Sequence, residues 1–201
     1  MSYQFPLIKT IKDVDAAIDP ECFFVAQKDG YQVINYHHTS PATFPEITDE
    51  NSKIRREFRG ICFDMEGNII RRPFQKFFNI GEKSETNLET LDVSRPHLIL
   101  DKLDGSMVSF FMVNNKPIWG TRMGATEVSD QVVEWLKSQP DRNERYESFA
   151  KELFYVGYTA IFEWCSNTQR IVIDYPVSNL ILTGVRNMVT GEYVDIHNFS
   201  I

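Results

Sequence analysis

Residues 98–113 of the chain are LILDKLDGSMVSFFMV, two apolar runs separated by a lysine, a carboxylate and a glycine. A lysine amine attacks the α-phosphate of a nucleotide when a desolvated, cation-rich pocket lowers its pKa, so Lys102 is a candidate nucleophile. Asp104 can hold Mg²⁺ directly or through bound water, and Gly105 lets the backbone approach a phosphate or sugar. The same residues also fit an exposed strand end followed by a glycine turn, so the rest of the chain must decide.

The spacing of apolar residues and turns predicts an α+β fold built on antiparallel sheets. Hairpins are predicted for residues 22–25 with 31–36, 58–63 with 69–72, and 107–113 with 117–121. Helices are predicted for residues 13–18, 129–140 and 144–156, further strands for 159–164, 171–173 and 180–185, and a polar loop for 39–51. Hairpins with segregated helices are typical of an α+β domain. The absence of Gly-x-Gly-x-x-Gly and Gly-x4-Gly-Lys sequences argues against Rossmann and P-loop nucleotide sites.

Composition favours one globular domain with a sizeable core. The chain has 201 residues, 42% of them hydrophobic, and no apolar run near the roughly 18 residues that a transmembrane helix needs. Its first residues lack the basic and apolar regions of a signal peptide, and its three cysteines lack metal-site spacing. A cytoplasmic protein with reduced thiols and no membrane partner is therefore expected. The net charge of −7 predicts that any contact with nucleic acid is local, since such partners usually select basic surfaces.

Three further basic positions are candidates for binding phosphate. Arg59 can grip a phosphate bidentately, or it can form an exposed cross-strand ion pair with a neighbour such as Glu57. Lys76 precedes two phenylalanines, of which Phe78 is one, and this combination suits either a purine and phosphate contact or the protein core. Arg122 follows a predicted strand, and taken alone it is typical of a solvated side chain.

Glu163 stands out because its neighbours in the stretch AIFEWC, residues 160–165, are apolar. A carboxylate in such a run must find a cation, hydrogen-bond donors or a metal. A functional ligand is one solution, and an ion pair with Arg170 is the structural alternative.

Together these features resemble the adenylation domain of the RNA ligase 1 family of the T-even phages. That family belongs to the covalent nucleotidyltransferases, with DNA ligases and mRNA capping enzymes, and its marker is Lys-x-Asp-Gly. The matching stretches lie at residues 102–105, 59–63 with 65–67, 72–79, 162–163 with 169–172, and 186–193. The similarity covers residues 57–201, whereas residues 1–50 match only loosely and form a family-variable subregion.

The resemblance implies an ATP-dependent RNA ligase. In that family the lysine matching Lys102 attacks the α-phosphate of ATP, expels pyrophosphate and becomes covalently bound to AMP. AMP then moves to an RNA 5′-phosphate, and a 3′-hydroxyl attacks the activated end, as in RNA and tRNA repair. Such chemistry depends on metal and cationic groups that neutralise charge on the phosphates.

The resemblance also implies roles for the other matched residues. Arg59 and Lys76 would contact phosphates or the nucleic-acid end, and Phe78 would help to shape the nucleotide pocket. Asp104 and Glu163 would hold hydrated Mg²⁺, with Glu163 also near the ribose. Arg122 stands where the family has a basic residue, usually lysine, so the charge is kept and the geometry differs.

One departure concerns the last two motifs of the family, a Glu-Gly segment and a Lys-x-Lys strand, which have no match before Ile201. The expectation is a single partial nucleotidyltransferase domain over residues 1–201, incomplete at its C-terminal end and without an RNA-specificity domain. The chain is then a truncated product, a half whose complementary chain supplies the missing motifs, or a degenerate relative. The alternatives are a non-catalytic nucleotide- or RNA-binding remnant or a subunit that needs a second chain, and a related nucleotidyltransferase that acts on DNA ends or caps.

Overall fold

The computed structural model describes residues 3–199, which form two antiparallel sheets and three α-helices. The strands are β1 Phe23–Lys28, β2 Tyr31–Tyr36, β3 Ile61–Asp64, β4 Ile69–Arg71, β5 Ser106–Val113, β6 Lys116–Gly120, β7 Tyr158–Cys165, β8 Asn179–Asn187 and β9 Tyr193–Val194. The helices are α1 Glu50–Arg55, α2 Glu127–Lys137 and α3 Pro140–Tyr155. The α+β prediction with antiparallel sheets is confirmed.

The first sheet is a meander in the order β1-β2-β3-β4. Gly30 makes the β1–β2 turn with a φ of 79°, a left-handed conformation that glycine adopts without strain. One face of the sheet packs on α1 and the N-terminal segment, and at the centre of this core Phe23 contacts both Phe44 and Phe58 edge to face.

The second sheet has the order β6-β5-β7-β8-β9. Alternate residues of β5 face opposite sides, as a strand requires. Val108 and Phe110 point to the core beneath α2 and α3, whereas Phe111 and Val113 pack against the first sheet. The side of the second sheet without helices is therefore the side that meets the first sheet.

Arg71, at the end of β4, ties the two sheets together. Its side chain is fully buried, and its Nε donates to Ser109 Oγ at 2.6 Å. Its Nη2 donates to the carbonyl oxygens of Gly120 and Thr121 at 3.2 and 2.7 Å. Backbone carbonyls thus replace the water that this guanidinium loses on burial.

A second buried junction is centred on Glu57, in the turn between α1 and β3. Its carboxylate forms ion pairs with Arg72 and Arg186 at 3.0 and 2.7 Å, and all three side chains are fully buried. Arg186 Nη1 also donates to the Pro73 carbonyl at 2.6 Å. The junction connects the turn before β3, the segment after β4, and β8.

The hairpins, the two long helices and the buried, unpaired state of the three cysteines agree with expectation. The short helix predicted for residues 13–18 is found as two 3₁₀ helices, Ile11–Asp13 and Asp15–Ala17. Two predictions of secondary structure are wrong. The segment 39–51 contains the start of α1, which Asp49 caps by accepting from Ser52 N at 2.8 Å. Residues 171–173 are not a strand, because their backbone donors bond a side chain instead of a neighbouring strand.

Across residues 3–199, no helix is both long enough and apolar enough to span a bilayer.

Candidate active site

A cavity of about 620 Å³ opens between the second sheet and the segments that join the sheets. Its size lies within the range of small-molecule sites. The lining residues come from the turn before β3, the segment after β4, the segment before β5, and strands β5, β7 and β8; they are Arg59, Phe74, Phe77, Leu100, Asp101, Lys102, Leu103, Gly105, Met107, Glu163 and Thr183. Of the residues predicted for the site, the cavity wall contains Lys102, Arg59, Gly105 and Glu163.

Lys102 and Glu163 come together because β5 and β7 are neighbours. Met107 pairs with Glu163 in the ladder, and two residues earlier Gly105 N donates to Glu163 Oε1 at 3.1 Å. Lys102 lies on the extended segment just before this contact, with its side chain exposed. The strand register therefore carries the amine and the carboxylate to one end of the sheet.

Glu163 is partly buried, and this burial raises the pKa of its carboxyl. The Gly105 N–H and the charges of Lys102 and Arg59 oppose the shift without cancelling it. Within residues 3–199 its carboxylate forms no ion pair, and Arg170 instead donates to the Val172 carbonyl at 3.0 Å. The structural alternative, a Glu163–Arg170 pair, is not found.

Gly105 has no space for a side chain. A Cβ there would lie 2.3 Å from the Trp164 carbonyl oxygen and 3.1 Å from Cγ of Glu163. Glycine thus allows the close approach of the Lys-x-Asp-Gly segment to β7, which places Lys102 beside Glu163.

Asp104 is not part of the cavity wall, and its carboxylate fixes the loop between β7 and β8. Its Oδ2 accepts from Val172 N and Ile173 N, both at 2.6 Å, and its own backbone N donates to the Tyr175 hydroxyl at 2.9 Å. The two backbone donors lower the pKa of Asp104. Oδ1 of this carboxylate has no hydrogen-bond partner among residues 3–199.

The donor set of the site suits a hydrated cation. No group of three or more His, Cys, Asp or Glu side chains converges anywhere in residues 3–199. Mg²⁺, however, is usually held by one or two carboxylates together with water and substrate phosphates. Glu163, and Asp104 through its free oxygen, are the two carboxylates that fit such a site.

The remaining predicted residues surround Arg59 outside the cavity wall. Arg122 places its guanidinium 4.6 Å from the Tyr36 ring centroid, and Lys76 Nζ lies 4.5 Å from that of Phe78. Burial lowers the pKa of Arg59, to which the nearby Arg122 charge also contributes, and burial likewise lowers the pKa of Lys76. The three cations therefore form one basic region beside the cavity.

Two aromatic residues, Phe74 and Phe77, line the cavity. The sequence assigns no role to Phe74, and it leaves Phe77 and Phe78 together as either core residues or a purine contact. Phe78 packs on the first core at 6.1 Å from Phe44. In an extended segment, successive side chains point to opposite sides. The pattern Lys-Phe-Phe shows that one ring faces each side, but it does not show which one faces the cavity.

Comparison with known proteins identifies the family. The family model described as RNA ligase matches residues 57–200. A protein of Thermovibrio ammonificans named "Putative RNA ligase" is 30% identical over 192 residues, which are 95% of this chain and 47% of the relative. "RNA ligase 1" of Bacteriophage TS2126 is 25% identical over 146 residues, 69% of this chain and 36% of the relative. The chain spans about half the length of the first relative and about a third of the second. The matched region includes the Lys-x-Asp-Gly segment and every cavity residue, and the chain belongs to the RNA ligase 1 family of the T-even phages.

Proposed function

We propose that this chain is the adenylation domain of an ATP-dependent RNA ligase and that Lys102 is the residue that receives AMP. The observation that carries the proposal is the shared cavity of Lys102, Glu163 and Arg59, with Gly105 N bonded to Glu163. This arrangement sets an amine, a carboxylate and a guanidinium around one space of nucleotide size. Membership of the RNA ligase family supports the same assignment.

In the proposed first step, the uncharged amine of Lys102 attacks the α-phosphorus of ATP. A P–N bond forms, the bond from the α-phosphorus to the bridging oxygen breaks, and pyrophosphate leaves. The amine nitrogen loses one proton to solvent, which leaves a lysyl-AMP phosphoramidate. Lys102 is exposed on a segment held at Gly105, so its Nζ is accessible to an incoming nucleotide.

The other side chains bind and orient the nucleotide. Arg59 has no ion-pair partner within residues 3–199, so its guanidinium can donate hydrogen bonds to a phosphate. Arg122 and Lys76 add positive charge next to it. Glu163 would hold Mg²⁺ together with Asp104, and the ion when bound neutralises charge on the phosphates. Glu163 would also accept a hydrogen bond from a ribose hydroxyl, as the family resemblance implies.

For the second substrate we propose RNA with a 5′-phosphate and a 3′-hydroxyl, as in RNA repair. An oxygen of the RNA 5′-phosphate attacks the phosphorus of lysyl-AMP, the P–N bond breaks, and the Lys102 nitrogen takes up a proton from solvent as it leaves. The 3′-hydroxyl then attacks the phosphorus of the RNA 5′-phosphate, loses its proton to solvent and displaces AMP, which forms the phosphodiester. The names of the two relatives and the family description support RNA as the class of nucleic acid.

Incubation with α-labelled ATP and Mg²⁺ tests the first step. We expect a covalent label on the chain, its absence in Lys102→Ala, and its retention in Lys116→Ala. Lys116 is a matched control because its side chain is exposed in the β5–β6 hairpin, away from the cavity. A label that persists in Lys102→Ala would show that AMP is attached to another residue.

A second candidate is a nucleotide-binding subunit that acts with a complementary chain. Two apolar stretches beside the site favour it: Leu98, Ile99 and Leu100 are 65–89% exposed, and Ile171–Ile173 are also largely exposed. Such surface is usually covered by a partner. This candidate predicts that calorimetry detects ATP binding while no label forms on the isolated chain.

A further inference from the structure

Phe77 is a large apolar side chain that the fold leaves exposed at the cavity. It is 57% exposed, while the adjacent Phe78 is packed on the first core. The backbone is fixed at this point, because Lys76 N donates to the Arg56 carbonyl at 2.7 Å. An anchored backbone with an exposed aromatic ring leaves the side chain available to a ligand and not to the core.

Arg59 covers part of the Phe77 ring. Its guanidinium carbon lies 5.2 Å from the ring centroid, and its Nη1 contacts Met107 Sδ at 3.7 Å. A cation against one aromatic face holds the ring in place and leaves other ring surface free. Arg59 therefore orients Phe77 from within the cavity wall.

The cavity wall contains both apolar and charged side chains. Leu100, Leu103 and Met107 are apolar, and the charged residues are Arg59, Asp101, Lys102 and Glu163. A nucleotide combines the same properties, since its base has apolar faces and its phosphates are anionic. Bases stack on exposed aromatic rings with little dependence on their sequence, because each base has a π-face.

We propose that Phe77, with Arg59 against its ring, is the stacking platform for a nucleobase at the Lys102 cavity. The base is either the adenine of ATP or a base at the RNA end, and the experiment below distinguishes them. The inference rests on the proposed function because it takes nucleotides to be the ligands of this cavity. It adds a binding residue that the motif comparison did not assign.

Removal of the Phe77 ring should lower the affinity for every ligand whose base stacks on it. From the usual contribution of base–aromatic stacking, Phe77→Ala should reduce affinity about 5- to 150-fold. Phe77→Tyr and Phe77→Trp keep an aromatic ring, so their affinities should be close to that of the parent. Tripolyphosphate has no base, so its affinity should be the same in all of these variants.

Titration calorimetry on the full chain, with every variant in the Lys102→Ala background, measures binding without an adduct. The ligands are ATP, tripolyphosphate and a 5′-phosphorylated oligoribonucleotide. Tyr155→Ala removes an aromatic ring that is 64% exposed on α3, outside the cavity, and is the matched control. If Phe77→Ala lowers the affinity for ATP, the base that stacks on Phe77 is adenine. If it lowers the affinity for the oligonucleotide, that base belongs to RNA.

Four results would overturn the stacking assignment. The first two are equal affinity of Phe77→Ala and the parent for both base-containing ligands, and no binding of either ligand to the parent. The others are an equal loss of affinity for tripolyphosphate, and a Phe77→Tyr variant that binds as weakly as Phe77→Ala. Absence of the covalent label on Lys102 bears only on the proposed catalytic step, because these titrations need no adduct.

Discussion

Glu57→Ala tests whether the buried junction supports both the fold and the site. The substitution removes an acceptor that takes hydrogen bonds from Arg72 Nε at 3.1 Å and from Arg186 Nη1 and Nη2 at 2.7 and 2.8 Å. Two fully buried guanidiniums would then face each other without a counter-charge. The segments it joins carry Arg59 and Phe77, so the cavity should loosen as well.

The magnitude follows from the burial of all three charges. Removing one partner of a buried ion pair typically costs about 3–5 kcal/mol, because the remaining charge is left uncompensated. For a chain of this size each kcal/mol lowers Tm by roughly 2–4 °C, so the expected loss is about 6–20 °C. The carbonyls of Gly191, Met188 and Val189, which also accept from these arginines, moderate the loss and keep it inside that range.

Thermal unfolding followed by calorimetry measures the effect. Glu89→Ala, at an exposed carboxylate in the segment between the sheets, is the control and should stay within about 0.5 kcal/mol of the parent. A Glu57→Ala protein with the Tm of the control would refute the reasoning, since it would mean that the guanidiniums do not need this carboxylate.

The same junction has a pH signature. Burial by itself raises the pKa of the Glu57 carboxyl, but the guanidiniums of Arg186 and Arg72 outweigh it and hold that pKa below its usual range. A lowered carboxyl pKa stabilises the fold above the unfolded value of about 4.3, and this stabilisation is lost as pH falls through the folded value. The parent should therefore lose stability in acid more steeply than Glu57→Gln, which has no proton to gain.

Three further outcomes concern the site. Gly105→Ala should destabilise the chain by about 1–3 kcal/mol in thermal unfolding and reduce adenylation, because its Cβ would lie 2.3 Å from the Trp164 carbonyl oxygen. Since burial raises the pKa of Glu163, ATP affinity measured with Mg²⁺ should begin to fall at a pH above the ordinary glutamate value of about 4.3, and Glu163→Gln should be weak and independent of pH in that window. Asp104→Ala should speed hydrogen exchange in the loop of residues 166–178, because Val172 N loses its acceptor; unchanged exchange there would show that the contact does not hold the loop.

Local sequence was sufficient wherever an element depends on its own residues. The β1–β2 and β5–β6 hairpins follow from alternating apolar residues and their turns, and Asn114 and Asn115 both adopt the left-handed backbone that a two-residue hairpin favours. Helix α3 follows from its apolar spacing, but Pro140, predicted to end the preceding helix, instead begins α3. Helix α1 was missed although its Asp49-x-x-Ser52 cap was present, because prolines and polar residues upstream favoured a loop.

Residues 171–173 show where local reasoning fails. Their β-branched, apolar sequence favours a strand, but Val172 and Ile173 bond to the carboxylate of Asp104, 68 and 69 positions away. The tertiary hydrogen bond replaces the ladder that the propensity would need. No pattern within the segment contains that information.

The sequence by itself determined the family and identified Lys102 as the candidate nucleophile and Arg59 and Glu163 as candidate binding residues. All three line one cavity. Only the tertiary structure decided that Phe77 and not Phe78 lines that cavity, and that Glu57 is a buried junction and not a surface ion pair. The physical reason is that these outcomes depend on sheet register and on partners 15 and 129 positions from Glu57. Such partners come within reach only when the two sheets pack together.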